Sequence, residues 1–188
     1  DYCNYIIKDC NPKIFLSNQN ENYNNVKTID YSLNNINTNN DYNELEFVDN
    51  ELSTLIYTSG TTGSPKGVML SNNNILSNIY SINNRFHDLP KAMSLNILPW
   101  AHIYGLTCEL YYNLFFDNKT ALCSDKLKFI DECKEIKPEV LYVVPKVLET
   151  VKSKTQFLDK PLVRTALPFV VNKVFGGNLL NMFIGGAK

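Results

Sequence analysis

The hydrophobic positions of this 188-residue chain change period several times, and each change marks an element. An apolar and β-branched run over 52–58 predicts a strand. After it, Ser71 can cap a helix on which Ile75, Ile79, Ile82 and Phe86 recur at helical spacing. Residues 93–98 predict a strand that Pro99 stops, 103–116 a strongly apolar helix, and 120–123 a short strand. Leu127, Ile130, Cys133 and Ile136 make a half-buried helix that Pro138 ends. The apolar run 140–144 reads as a buried strand, and Pro145 can open the helix that follows. A helix over 161–175 and a strand over 179–184 come next; near the other end, 5–10 reads as the end of a helix and 13–16 as a strand.

Strand and helix alternate throughout. This predicts right-handed βαβ crossovers and an α/β fold, a mainly parallel sheet with helices on both faces. A 44% hydrophobic composition over this length suffices for one core and one domain. The formal net charge of −1 gives no reason to expect nucleic acid as a partner. No apolar run approaches the roughly 18–20 residues of a membrane span. Five cysteines (Cys3, Cys10, Cys108, Cys123, Cys133), odd in number and without a Cys-x-x-Cys pair, predict reduced, mostly buried thiols in an intracellular protein. With His87 and His102 the only histidines, no metal site built from protein side chains is expected. Asparagine concentrates over 18–50 and 72–84, and the stretches 18–25 and 33–43 read as poorly ordered surface.

Candidate chemistry is densest at Tyr57-Thr-Ser-Gly-Thr-Thr-Gly-Ser-Pro-Lys-Gly-Val68. Gly60, Gly63 and Gly67 let such a loop bend, backbone N–H groups and hydroxyls can converge on phosphate oxygens, and Lys66 adds positive charge. The common P-loop spacing is not met: after Gly60 the stretch ends Pro65-Lys66-Gly67. A phosphotransferase with an unusual P-loop is therefore a poor reading. A Gly/Ser-rich surface turn is the bland alternative.

Tyr57 to Val68 resembles the phosphate loop of the adenylate-forming enzymes, the superfamily of acyl-CoA synthetases, luciferases and peptide-synthetase adenylation domains. Leu98-Pro-Trp-Ala-His-Ile-Tyr-Gly105 resembles their second motif, a Leu-Pro pair followed by a histidine. Val144-Pro-Lys-Val-Leu-Glu149 resembles a segment of the long-chain fatty acyl-CoA synthetases, and Phe183-Ile-Gly-Gly-Ala187 the Gly-Gly-Ala stretch that lies along adenine. These motifs stand in the family's order.

The resemblance implies an AMP-forming fatty acyl-CoA synthetase. ATP activates a fatty acid as its acyl-adenylate with release of pyrophosphate, and coenzyme A then takes the acyl group. Residues 1–188 are expected to be part of the large N-terminal AMP-binding domain, lacking both natural ends and the C-terminal domain, and inactive alone. Thr58, Ser59, Gly60, Thr61, Thr62, Gly63, Ser64, Lys66 and Gly67 would hold the ATP phosphates, with Mg2+ among the phosphate oxygens and no metal ligand from this stretch. Lys66 and His102 would be catalytic, His102 donating to negative charge at the carboxylate and α-phosphate. Gly185, Gly186 and Ala187 would lie against the adenine and the acyl-adenylate. Trp100 reads as core. The expected partners are fatty acid, ATP and coenzyme A. The expected setting is intracellular, cytoplasmic or peripheral on an internal membrane. The alternatives are an aryl-CoA or amino-acid adenylating relative, or a nucleotide-binding regulatory protein without catalysis.

Overall fold

The computed structural model describes residues 2–17, 26–30, 48–58, 65–86, 91–154 and 167–186. The chain begins with α1 (Tyr2–Cys10), followed by β1 (Ile14–Ser17) and β2 (Lys27–Asp30), which pair in parallel. Next come β3 (Leu52–Thr58), β4 (Lys66–Ser71), α2 (Asn72–Arg85) and β5 (Met93–Asn96). A π-helical segment (Gly105–Tyr111) runs into α3 (Tyr112–Phe115), and β6 (Lys119–Leu122), α4 (Phe129–Ile136) and β7 (Val140–Val143) follow. The described chain closes with α5 (Pro145–Lys154), α6 (Leu167–Val174) and β8 (Asn181–Ile184).

The main sheet has the order β6-β5-β7-β8, and every pairing in it is parallel. Its central strand β7 is buried along its whole length, so its side chains serve two cores in alternation. Leu141 and Val143 face a cluster with Leu95, Phe129, Cys133, Val151 and Phe175, drawn from α4, α5 and the end of α6. Val140 and Tyr142 face the opposite cluster, with Ala92, Leu98, Tyr104 and Cys108. The sheet therefore has apolar cover on both faces, as the alternation of elements predicts. Each fully buried aliphatic side chain contributes about 1.5–3 kcal/mol.

A third cluster joins α2 to the helix after the π segment through Ile75, Ile79 and Tyr112. Ser71 caps α2 as expected: its hydroxyl accepts from the Asn74 N–H, and the Asn74 side chain accepts from the Ser71 N–H.

Four features depart from the sequence expectation. Lys66 does not sit in a loop but opens β4, which pairs antiparallel with β3 in register Thr58↔Lys66 and Tyr57↔Gly67. β4 carries Val68 and Met69 exposed, so no alternation announces it; pairing with β3 creates it. β2 lies in an asparagine-rich stretch and depends in the same way on its pairing with β1. The apolar helix expected over 103–116 is wound in its first part as a π-helix. The cysteines are free as expected, but only Cys133 is buried, and Cys3, Cys10, Cys108 and Cys123 are half-buried. The stretches 18–25 and 33–43, His87, and residues 161–166 of the helix expected over 161–175 lie outside the described residues; the rest of that helix is α6.

Candidate active site

In an open parallel sheet, the loops leaving the C-terminal ends of the strands gather at one edge, where such folds bind ligands. Here Ile97 and Leu98 follow β5, Lys126 follows β6, Val144 follows β7 and Gly186 follows β8. All five line one cavity of about 670 Å³. The β3–β4 hairpin closes it from the other side with Ile56, Thr58, Val68 and Leu70. His102, Ile103, Tyr104 and Gly105 complete the wall at the start of the π-helix.

The structure thus brings together three of the predicted site residues, Thr58, His102 and Gly186, from elements far apart in sequence. Lys66 stands beside Thr58 across the hairpin, and the Thr58 hydroxyl donates to the Lys66 carbonyl at 3.4 Å. Both side chains are exposed. Gly67 is closely packed: a Cβ there would lie 3.0 Å from Leu55 Cδ1. Ser59, Gly60, Thr61, Thr62, Gly63, Ser64 and Ala187 lie outside the described residues.

His102 is held by its backbone. Its N–H donates to the Pro99 carbonyl at 3.1 Å, and its own carbonyl accepts from Leu106 at 2.9 Å. The imidazole is exposed at the cavity. Gly185 has the ring of Tyr104 packed directly on it, and Gly186 adopts a left-handed φ of 68°. Sequence reasoning passed over Tyr104 and Lys126, which both line the cavity. The Tyr104 phenol is pushed above its ordinary value by burial and, less, by Cys108 and Glu109. It is a neutral hydroxyl across the physiological range. Trp100, expected in the core, is half-buried and donates its indole N–H to Glu109.

The apolar share of the wall is large: Ile56, Val68, Leu70, Ile97, Leu98, Ile103, Val144 and Val147 give a surface suited to hydrocarbon. Among the described residues no carboxylate lines it, and no cluster of three or more His, Cys, Asp or Glu could hold a metal. A magnesium ion would fit here as the companion of a bound polyphosphate, since such ions take few ligands from the protein. Among the described residues no helix is long and apolar enough to cross a membrane.

A family model for AMP-binding enzymes matches residues 1–188. The chain belongs to the AMP-binding enzyme family. Within it, the chain is 31% identical over 148 residues to a probable chloroplastic acyl-activating enzyme of Arabidopsis thaliana, covering 71% of this chain and 20% of that one. It is 32% identical over 144 residues to a long-chain-fatty-acid–CoA ligase of Rattus norvegicus, covering 68% of this chain and 20% of that one. This AMP-binding chain therefore spans about a fifth of the length of these relatives. Its fold matches that of an o-succinylbenzoate CoA synthetase of Bacillus subtilis in complex with an acyl-adenylate intermediate. The TM-score is 0.72 at 20% identity, over 100% of this chain and 46% of that one. The α/β architecture, a parallel sheet with helices, is the one found in that synthetase. The family is varied in substrate, since acyl-CoA ligases and an o-succinylbenzoate synthetase stand together in it.

Proposed function

We propose that the full protein is an AMP-forming fatty acyl-CoA synthetase, acting on medium- or long-chain acids, and that residues 1–188 are part of its large N-terminal domain. The observation that carries this reading is the cavity, where Thr58, His102 and Gly186 meet an aliphatic wall at the C-terminal ends of parallel strands. A triphosphate and a fatty acid need those two surfaces side by side. The 32% identity to a long-chain-fatty-acid–CoA ligase supports the choice of acid.

The chemical problem is that a carboxylate is a poor acyl donor. Its oxygen attacks the α-phosphorus of ATP, the bond to the bridging oxygen breaks, and pyrophosphate leaves with that electron pair. The thiolate of coenzyme A then attacks the acyl carbonyl, and AMP leaves. Two like-charged groups must approach in the first step, so catalysis is a matter of placement and charge. Lys66, at the mouth of the hairpin, offsets charge on the β- and γ-phosphates and the departing pyrophosphate. The Thr58 hydroxyl and residues 59–64 supply hydrogen bonds to the same oxygens. His102 donates to the oxygens of carboxylate and α-phosphate, where negative charge accumulates. Gly185 and Gly186, which have no side chain, and the small Ala187 let the purine approach the backbone. Ile56, Val68, Leu70 and Ile103 bury the acyl chain and exclude water. Magnesium bound with the nucleotide would supply further charge neutralisation beside Lys66.

The test is carboxylate-dependent ATP–pyrophosphate exchange by the natural full-length protein over acetate, octanoate, palmitate, an aryl acid and amino acids. Exchange with octanoate or palmitate, weakened in Lys66→Ala and His102→Ala, is the expected result. Exchange only with an aryl acid, acetate or amino acids would move the protein to another branch of the family. ATP binding without any exchange would make it a regulatory relative.

A further inference from the structure

Glu109 projects from the π-helix into the interior and has no exposed surface. Its Oε2 accepts from Trp100 Nε1 at 3.1 Å and also from Asn96 Nδ2. The same Asn96 amide donates to the Leu98 carbonyl at 2.9 Å. One carboxylate oxygen therefore holds both ends of the turn that leaves β5 and leads to His102. The other oxygen, Oε1, is buried with no hydrogen-bond partner among the described residues. One π turn earlier the backbone of the same helix seats against the middle of that turn. A Cβ at Gly105 would lie 3.0 Å from the Pro99 carbonyl and 3.2 Å from Leu98 Cβ. The His102 N–H then closes onto that Pro99 carbonyl at 3.1 Å.

A buried carboxylate is a costly way to fill space. Desolvation penalises its charge, and the two ion pairs among the described residues, Lys91–Asp117 and Lys134–Asp131, do not involve it. Burial accordingly raises its pKa above the ordinary glutamate value, against the opposing effect of the Asn96 and Trp100 hydrogen bonds. An apolar residue of similar volume would be tolerated more cheaply. Packing alone leaves the carboxylate without a reason. Its geometry supplies one, because two donors and a π-helical turn, a feature that recurs at functional sites, converge on the segment carrying His102.

We propose that Glu109 is a positioning residue for the adenylation step: through Trp100 and Asn96 it fixes the turn 96–100 and so the place of His102 at the cavity. This rests on the reading of His102 given above. Glu109 touches no substrate; it acts through the indole and the amide.

The experiment uses the natural full-length protein and measures kcat and KM for ATP in pyrophosphate exchange, with the thermal midpoint recorded beside them. The variants are Glu109→Gln, Glu109→Leu, Trp100→Phe, the Glu109→Leu/Trp100→Phe double variant and His102→Ala. Glu109→Leu and Trp100→Phe are expected to lower kcat by about tenfold to a hundredfold, with KM for ATP within about threefold, because the loss is one of orientation. Glu109→Gln keeps an acceptor oxygen for the indole and is expected within about threefold of the parent. The double variant is expected to be no slower than the slower single variant, since both break one contact. Normal kcat in Glu109→Leu, or Glu109→Gln as slow as Glu109→Leu, overturns the proposal. So does a kcat loss that only tracks a falling thermal midpoint. If Glu109→Leu does not fold, Trp100→Phe decides by the same criterion. A slow His102→Ala beside a normal Glu109→Leu overturns this inference alone. A normal His102→Ala overturns the reading of His102 beneath it.

Discussion

The ring of Tyr104 occupies the space that a side chain on residue 185 would need: a Cβ there would lie 2.7 Å from Tyr104 Cε2 and 2.8 Å from Cζ. The glycine after β8 is therefore fixed by an aromatic ring. Tyr104 in turn lines the cavity, so the contact couples the last strand of the sheet to the segment bearing His102.

Gly185→Ala is expected to displace Tyr104 and slow pyrophosphate exchange in the full-length protein by about tenfold or more, since small misplacements at a reacting centre are costly. The backbone at 185 is not in the left-handed region, so the effect is one of space. Shortening the opposing ring, in Gly185→Ala/Tyr104→Leu, should return the thermal midpoint lost by the single variant. A single variant with parental midpoint and parental exchange would disprove the coupling.

Ser71→Ala removes the hydroxyl that caps α2 and breaks the reciprocal pair with Asn74. The expected cost is about 1 kcal/mol, read from urea unfolding. Ser71→Asp, which restores an acceptor at the cap, should recover most of it.

Asn113 is 4% exposed and ties β5 to β6: its Nδ2 donates to Ser94 Oγ at 2.9 Å and to Thr120 Oγ1 at 2.8 Å, and its Oδ1 accepts from Asn118 at 3.2 Å. Asn113→Ala strips partners from buried groups and should destabilise by about 2–3 kcal/mol. Denaturant titration reads this directly, and a change below about 0.5 kcal/mol would mean that water replaces the amide without loss.

Cys133 has no exposed surface, and burial first, then the neighbouring Cys123 and Glu132, push its thiol up to about 12. A thiol whose folded value lies above its unfolded one stabilises fully below the unfolded value, near 8.5, and that contribution is lost as pH rises towards 12. Cys133 should therefore resist iodoacetamide at pH about 8 in the folded protein and react promptly in urea, since the thiolate is the nucleophile. Peptide mapping after alkylation would show this, and rapid native labelling of Cys133 would contradict it.

Much of the fold was legible in local pattern. The period of Ile75, Ile79 and Ile82, the cap at Ser71 and the apolar run 140–144 belong to segments whose pattern needs no partner to be read. The phosphate-loop composition, the Leu98–Gly105 motif and the glycines near 185 were legible because their residue types are unusual at that spacing. Hydrophobic periodicity decides which face of an element is buried, and that information is carried one segment at a time.

What the chain could not announce locally is what two distant segments make together. β4 has no alternation of its own and exists because its backbone pairs with β3, which puts Lys66 beside Thr58. Glu109 looks like a polar interruption of an apolar helix; only the π winding and the return of β5 bring Asn96 and Trp100 onto it. Lys126 and Tyr104 became cavity residues because parallel strands send their following loops to the same edge. Sequence alone determined most of the elements, the family and the candidate chemistry. Tertiary structure decided which side chains share a wall, because contact across a sheet depends on strand order and register, which no single segment encodes.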